Sequence, residues 1–250
     1  MTPATTDYHP SKNFRATPCG VWLFNWREKM KDSTQYYKFS APRVPAASPI
    51  DGMMPVDSLN RPVGVEVVLW SEMRPGYDIQ LNLDGHLVGE RKILTHDNKP
   101  GEVVHLELDK KYLREERSYT LRCMATNNIN QTVMDSPSTS LIIDRTAPGA
   151  ALLAPIIFHQ VNFGEALKGM LPGYADMQAG DCIQTFCNNR EGPVHVVEPE
   201  NLATVPMQIV FSKAFLLGLD SQHATINYQV IDRAGNVSLL SHSVTLSMQF

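Results

Sequence analysis

Three sets of residues in this chain have side chains suited to chemistry. Asp144 and Asp232 each open a turn-forming phrase, Asp144-Arg-Thr-Ala-Pro148 and Asp232-Arg-Ala-Gly-Asn236. Two carboxylates joined by carbonyl oxygens from Arg233 or Thr146 would supply the oxygen shell that a hard cation such as calcium requires. The same two aspartates also suit ordinary turns, in which each carboxylate binds its own backbone. The second set is aromatic: Trp70 and Tyr174, with Trp22 and Trp26 near the N-terminus. Such rings stack on the face of a sugar or plug the end of a core. The third set is the four cysteines at 19, 123, 182 and 187.

Enzymatic chemistry finds no support beyond these. Eight histidines and 26 acidic residues are present, yet no His-Glu-x-x-His, Gly-x-Ser-x-Gly, Walker loop or paired-cysteine zinc spacing occurs. His86, His96 and His105 fall on different predicted strands and loops and read as solvated or edge residues. Cys182 and Cys187, five apart on one predicted strand, point to opposite faces and cannot pair with each other. The expectation is free, buried thiols, with Cys182 the most exposed, and cysteine usage leaves the compartment open. No catalytic residue is assigned.

The elements that must position these groups are written twice. Trp70-Ser-Glu-Met-Arg-Pro-Gly-Tyr-Asp-Ile-Gln-Leu-Asn-Leu-Asp-Gly85 returns 104 residues later as Tyr174-Ala-Asp-Met-Gln-Ala-Gly-Asp-Cys-Ile-Gln-Thr-Phe-Cys-Asn-Asn189. Without a gap, Trp70 meets Tyr174, Met73 meets Met177, Gly76 meets Gly180 and Ile79-Gln80 meets Ile183-Gln184.

Each copy reads as short strands between turns. From Tyr77 to Leu83 the alternation puts Ile79, Leu81 and Leu83 on a core face and Asp78, Gln80 and Asn82 outside. Asp84-Gly85 predicts a hairpin turn, and Asp109 to Glu116 a single helical turn. Tyr119, Leu121, Cys123 and Ala125 form the next inward set, and in the second copy Ile183, Thr185 and Cys187 do so. About seven strands per copy, with scarcely a helical period, predict an all-β chain of two tandem immunoglobulin-like antiparallel β-sandwiches. The expected boundaries are a basic, aromatic-rich N-terminal extension over 1–45, a first sandwich over 46–146 and a second over 147–250.

Composition agrees with folded domains: 43% hydrophobic and 19% charged residues. The net charge of −4 argues against nucleic acid as a partner. Residues 1–45 carry seven Lys/Arg against three acids, or +4, so the remainder carries −8. The extension holds eight aromatics, costly to leave in water, and reads as a cover packed on a domain or as a docking surface. No run reaches the length of a membrane helix, and no secretory signal is visible. The chain is therefore expected to be cytoplasmic, to be exported by another route, or to be a piece of a longer protein.

Val230-Ile-Asp-Arg-Ala-Gly-Asn-Val-Ser238 and the connector Ile143-Asp-Arg-Thr-Ala-Pro148 resemble the bacterial immunoglobulin-like repeats strung in tandem in large surface and secreted adhesins. The Met-x-x-Gly-(Asp)-x-Ile-Gln stretch resembles repeats of the same kind, and the likeness covers roughly residues 50 to 250. The first copy departs from it, with Thr126-Asn-Asn-Ile-Asn130 in place of the Asp-x-Ala-Gly-Asn phrase. The resemblance implies that the last strand of one domain runs through the Asp-x-Thr-Ala-Pro joint into the next. It also implies that the Asp232–Asn236 turn faces Asp144, that calcium at this joint would stiffen it, and that the module is structural or adhesive with a protein or glycan partner on a surface. A carbohydrate- or protein-binding module using loops or the N-terminal aromatics is the alternative expectation, with an enzyme or toxin component behind it.

Overall fold

β-branched and alternating apolar runs form strands here because each strand can lay one face on a core while its turns carry glycine, proline, asparagine and aspartate. The structure is a computed structural model and describes residues 37–159 and 164–248. In the first half β1 (Val63–Val68) pairs with β4 (Val103–Leu108). Against them stands a sheet in which β3 (His86–Ile93), β2 (Tyr77–Leu83) and β5 (Ser118–Asn127) follow in order, with β6 (Val133–Asp135) and β7 (Thr139–Ile142) both on the far edge of β5. In the second half β8 (Ile157–Phe158), β9 (Ala166–Leu171) and β12 (Met207–Ser212) make one sheet. β11 (Arg190–Val196), β10 (Cys182–Cys187), β13 (His223–Ile231) and β14 (Val244–Ser247) make the other. Every pairing between these strands is antiparallel. The two halves share one order of pairing, and the chain is all-β.

The duplication extends to single hydrogen bonds. Gly76 N–H donates to Leu94 O at 2.9 Å and Leu94 N–H to Tyr77 O at 2.7 Å. In the second copy Gly180 N–H donates to Val197 O at 2.7 Å and Val197 N–H to Asp181 O at 2.8 Å. Both glycines hold a left-handed backbone, at φ 87° and 95°, which explains why both copies keep glycine there. The hairpins that follow turn on Asp84-Gly85 and Asn188-Asn189, all four at positive φ, as tight two-residue hairpins require.

Each copy wraps its own core. The first gathers Val65, Val67, Leu69, Ile79, Leu81, Leu108, Leu121, Cys123 and Leu141 among others. The second gathers Leu167, Ile183, Cys187, Ile209, Phe211, Ala224, Ile226, Tyr228 and Val230. Each fully buried aliphatic side chain contributes about 1.5–3 kcal/mol against exposure. The inward sets expected from alternation, Tyr119, Leu121, Cys123 and Ala125 with Ile183, Thr185 and Cys187, are all buried.

Two expectations change. Asp78 does not face solvent: it is 3% exposed, because Arg91 on the neighbouring β3 brings its guanidinium to 3.2 Å from the carboxylate and neutralises it. Cys182 is not a free thiol: it is buried and disulfide-bonded, though at 5% it is the most exposed of the described cysteines, while Cys123 and Cys187 are free and buried. The described end of the extension packs on the first sandwich. Val44 lies in its core, Phe39 packs against it, and Arg43 bridges to Glu66 on β1. The helical turn expected after Asp109 is a 3-10 turn over Lys110–Tyr112, capped by the Asp109 side chain.

Candidate functional site

The groups singled out by type come together at the joint between the sandwiches. Strand β13 ends at Ile231, and the Asp232–Asn236 turn closes on itself. Asp232 Oδ1 accepts from Asn236 N–H at 2.8 Å, Asp232 Oδ2 accepts from Asn236 Nδ2 at 2.8 Å, and Gly235 supplies the left-handed corner at φ 88°. Asn236 Nδ2 also reaches Asp144 O at 3.2 Å, so one amide ties the turn of the second sandwich to the last residues of the first. Asp144 is held locally, its Oδ1 accepting from Thr146 N–H at 3.0 Å. Beside them Arg233 pairs with Asp51, and Val56 N–H donates to Ala234 O at 2.8 Å. The Arg233 stem lies across Gly180, where an added Cβ would stand 2.8 Å from its Cδ.

These contacts leave a cavity of about 230 Å³ lined by Glu116, Asp144, Thr146, Pro148, Asp176, Gln178 and Asp232. Four of the seven are carboxylates and none is a cation. Burial, followed by the charges of Asp232 and Glu116, pushes the Asp144 carboxyl above its ordinary value, against the pull of Thr146 N–H. Asp144 and Asp232 thus line one cavity. Both Asp232 oxygens and Asp144 Oδ1, however, are already engaged by backbone and amide donors, and no group of three His, Cys, Asp or Glu able to hold a metal ion occurs among the described residues. The residues present do not fit a calcium ion in this arrangement, and their geometry is that of turn-forming aspartates.

The aromatic positions divide. Trp70 is 1% exposed, with Phe39 stacked on it at 4.5 Å between ring centroids and Tyr77 edge-on at 5.6 Å. A ring so enclosed plugs the core end and offers no face to a sugar. Phe39 is held there by the chain before β1, where Ser71 N–H donates to Tyr37 O and Tyr37 N–H to Ser71 Oγ, both at 2.8 Å. Tyr174 is half-buried against the second core. Its hydroxyl donates to Asp181 Oδ2 at 2.8 Å, at the position where the first copy has the Trp70–Tyr77 edge contact. Trp22, Trp26 and Cys19 lie outside the described residues.

Asp181 is a site residue that alternation did not single out. It is fully buried; Oδ2 accepts from Tyr174 and from Gln178 N–H at 2.9 Å, and Oδ1 has no partner among the described residues. Burial pushes its carboxyl up, the charge of Asp232 adds to this, and Gln178, Tyr174 and Arg233 oppose it. Its one sequence signal was an acid placed where the first copy has Tyr77. Burial also pushes the Cys123 and Cys187 thiols up to about 12, which makes them inert fillers of their cores. His86, His96 and His105 are exposed and separate, as strand and loop placement implied.

No family model matches the chain, and no curated protein matches it. Among solved structures it is similar to the fibronectin(III)-like modules of CbhA from Clostridium thermocellum, at 11% identity over 83% of this chain and 94% of that one, with a TM-score of 0.45. It is also similar to a 1.5-MDa bacterial ice-binding adhesin, at 13% identity over 84% and 64% of the two chains and a TM-score of 0.44. The FN1–FN3 domains of chicken CNTN1 match at 9% identity over 84% and 67%, with a TM-score of 0.43. Likenesses this distant carry no weight for function, and the fold class rests on this chain's own strand pairing.

Proposed function

We propose that the chain is a non-enzymatic structural and adhesion module of a bacterial surface or exported protein, working through a protein or glycan partner at a surface. The observation that carries the reading is the joint. A duplicated sandwich is linked by a short proline-containing connector and then tied again by Asn236, Arg233 and the Val56–Ala234 bond. Such secondary ties hold neighbouring modules in a set relation, which suits a load-bearing array. The disulfide at Cys182 supports export, since such bonds persist in oxidising compartments. Of the aromatic residues considered for contact with a ligand, Tyr174 keeps an exposed edge and Trp70 does not.

Protease treatment of intact source cells, followed by immunodetection of the chain, tests the reading. Loss of signal from unbroken cells, or recovery of the chain from the medium, is the expected result; a chain confined to the cytosol and protected until lysis overturns it.

A further inference from the structure

The Asn236 side chain competes with a cation for the same oxygens. Its amide nitrogen donates to Asp232 Oδ2 and to Asp144 O, and its backbone N–H donates to Asp232 Oδ1. Both carboxylate oxygens of Asp232 and the Asp144 carbonyl are therefore turned toward one residue, itself 8% exposed. Two further acceptors nearby are also in use: Asp144 Oδ1 by Thr146 N–H, and Glu116 Oε2 by the Thr146 hydroxyl at 2.8 Å. The two amide hydrogens place partial positive charge where a divalent ion would sit. At the next residue the Arg233 guanidinium is paired with the Asp51 carboxylate, a second tie across the joint.

We propose that this joint is locked by the Asn236 amide and the Arg233–Asp51 pair in place of a divalent cation, and that the amide is what keeps the cation out. The inference concerns the joint alone and holds whatever the module binds. A corollary follows from the chemistry of the donors. Replacing the amide by a carboxylate removes the side-chain donors, frees Asp232 Oδ2 and the Asp144 carbonyl, and adds a third carboxylate beside them, while the backbone N–H of residue 236 stays on Asp232 Oδ1. That is the hard oxygen shell calcium takes up.

The test uses the full chain and compares wild type, Asn236→Asp and Asp51→Asn, each with chelator and with millimolar calcium. Two readouts apply: thermal unfolding, and the rate of tryptic cleavage after the exposed Arg145 of the connector. Wild type should show the same melting temperature and cleavage rate in both conditions. Asn236→Asp should be cleaved faster in chelator and regain protection in calcium. Asp51→Asn, which keeps an oxygen to accept from Met53 N–H, should be cleaved roughly tenfold faster in either condition, the order expected for losing a charge-assisted hydrogen bond. Calcium protection of wild type overturns the proposal, as does a folded Asn236→Asp chain indifferent to calcium. Should Asn236→Asp fail to fold, Asp51→Asn decides: a cleavage rate equal to wild type overturns the lock.

Discussion

Trp70→Ala separates a core plug from a sugar platform. An indole buries about 150–250 Å². At about 25 cal/mol per Å² its burial contributes roughly 4–6 kcal/mol, an upper figure because an extended unfolded chain is assumed. The contacts with Phe39 and Tyr77 add about 0.5–1.5 kcal/mol each. Against this, Trp70 Nε1–H is buried without a partner among the described residues, and deleting it returns about 1–3 kcal/mol. The net loss is about 3–5 kcal/mol, the usual range for truncating a buried tryptophan. Domain stabilities of about 5–15 kcal/mol leave the first sandwich near its limit. Urea unfolding followed by far-UV circular dichroism measures the loss, with the second sandwich as an internal reference because its core is separate. Trp70→Phe, which keeps a ring and removes the orphaned N–H, should cost only about 1–2 kcal/mol. A first transition within about 1 kcal/mol of wild type in Trp70→Ala would refute the reasoning.

Three further substitutions probe buried polar atoms. Tyr119 O–H donates to Glu115 O and accepts from Glu115 N–H, both at 3.1 Å, so Tyr119→Phe should cost about 1–2 kcal/mol by chemical denaturation. Tyr228 O–H is buried without a partner among the described residues, so Tyr228→Phe should be neutral or stabilising; a loss like that of Tyr119→Phe would refute this. Asp181 has a carboxyl raised by burial, so its charged form costs stability above that raised value, and the cost fades as pH falls through it. Asp181→Asn should therefore be more stable than wild type at neutral pH, with the difference shrinking toward acid. A difference independent of pH in thermal unfolding would refute this.

Much of the architecture was legible in the residues because it is local. Alternation over Tyr77–Leu83 and Tyr119–Ala125 fixes which side chains face inward, and Gly76, Gly180 and Asp84-Gly85 occupy backbone positions few other residues tolerate. The copy at 104 residues made two modules readable before any contact was known. Asp144 and Asp232 could be brought to one joint for the same reason, since the hairpin before a last strand lies at the end where the chain arrives.

Other features depended on partners far along the chain. Asp78 sits on the side that alternation marks as outer, yet Arg91 from β3 covers it. Trp70 became a closed plug only because Phe39, 31 residues earlier, is brought onto it. The occupancy of the joint's oxygens was equally out of reach: the Asn236 bond to Asp144 spans 92 residues and the Arg233–Asp51 pair spans 182. Periodicity reports which face a side chain takes on its own strand. What stands opposite that face, and whether its lone pairs are already spent, is set by the docking of one sandwich against another.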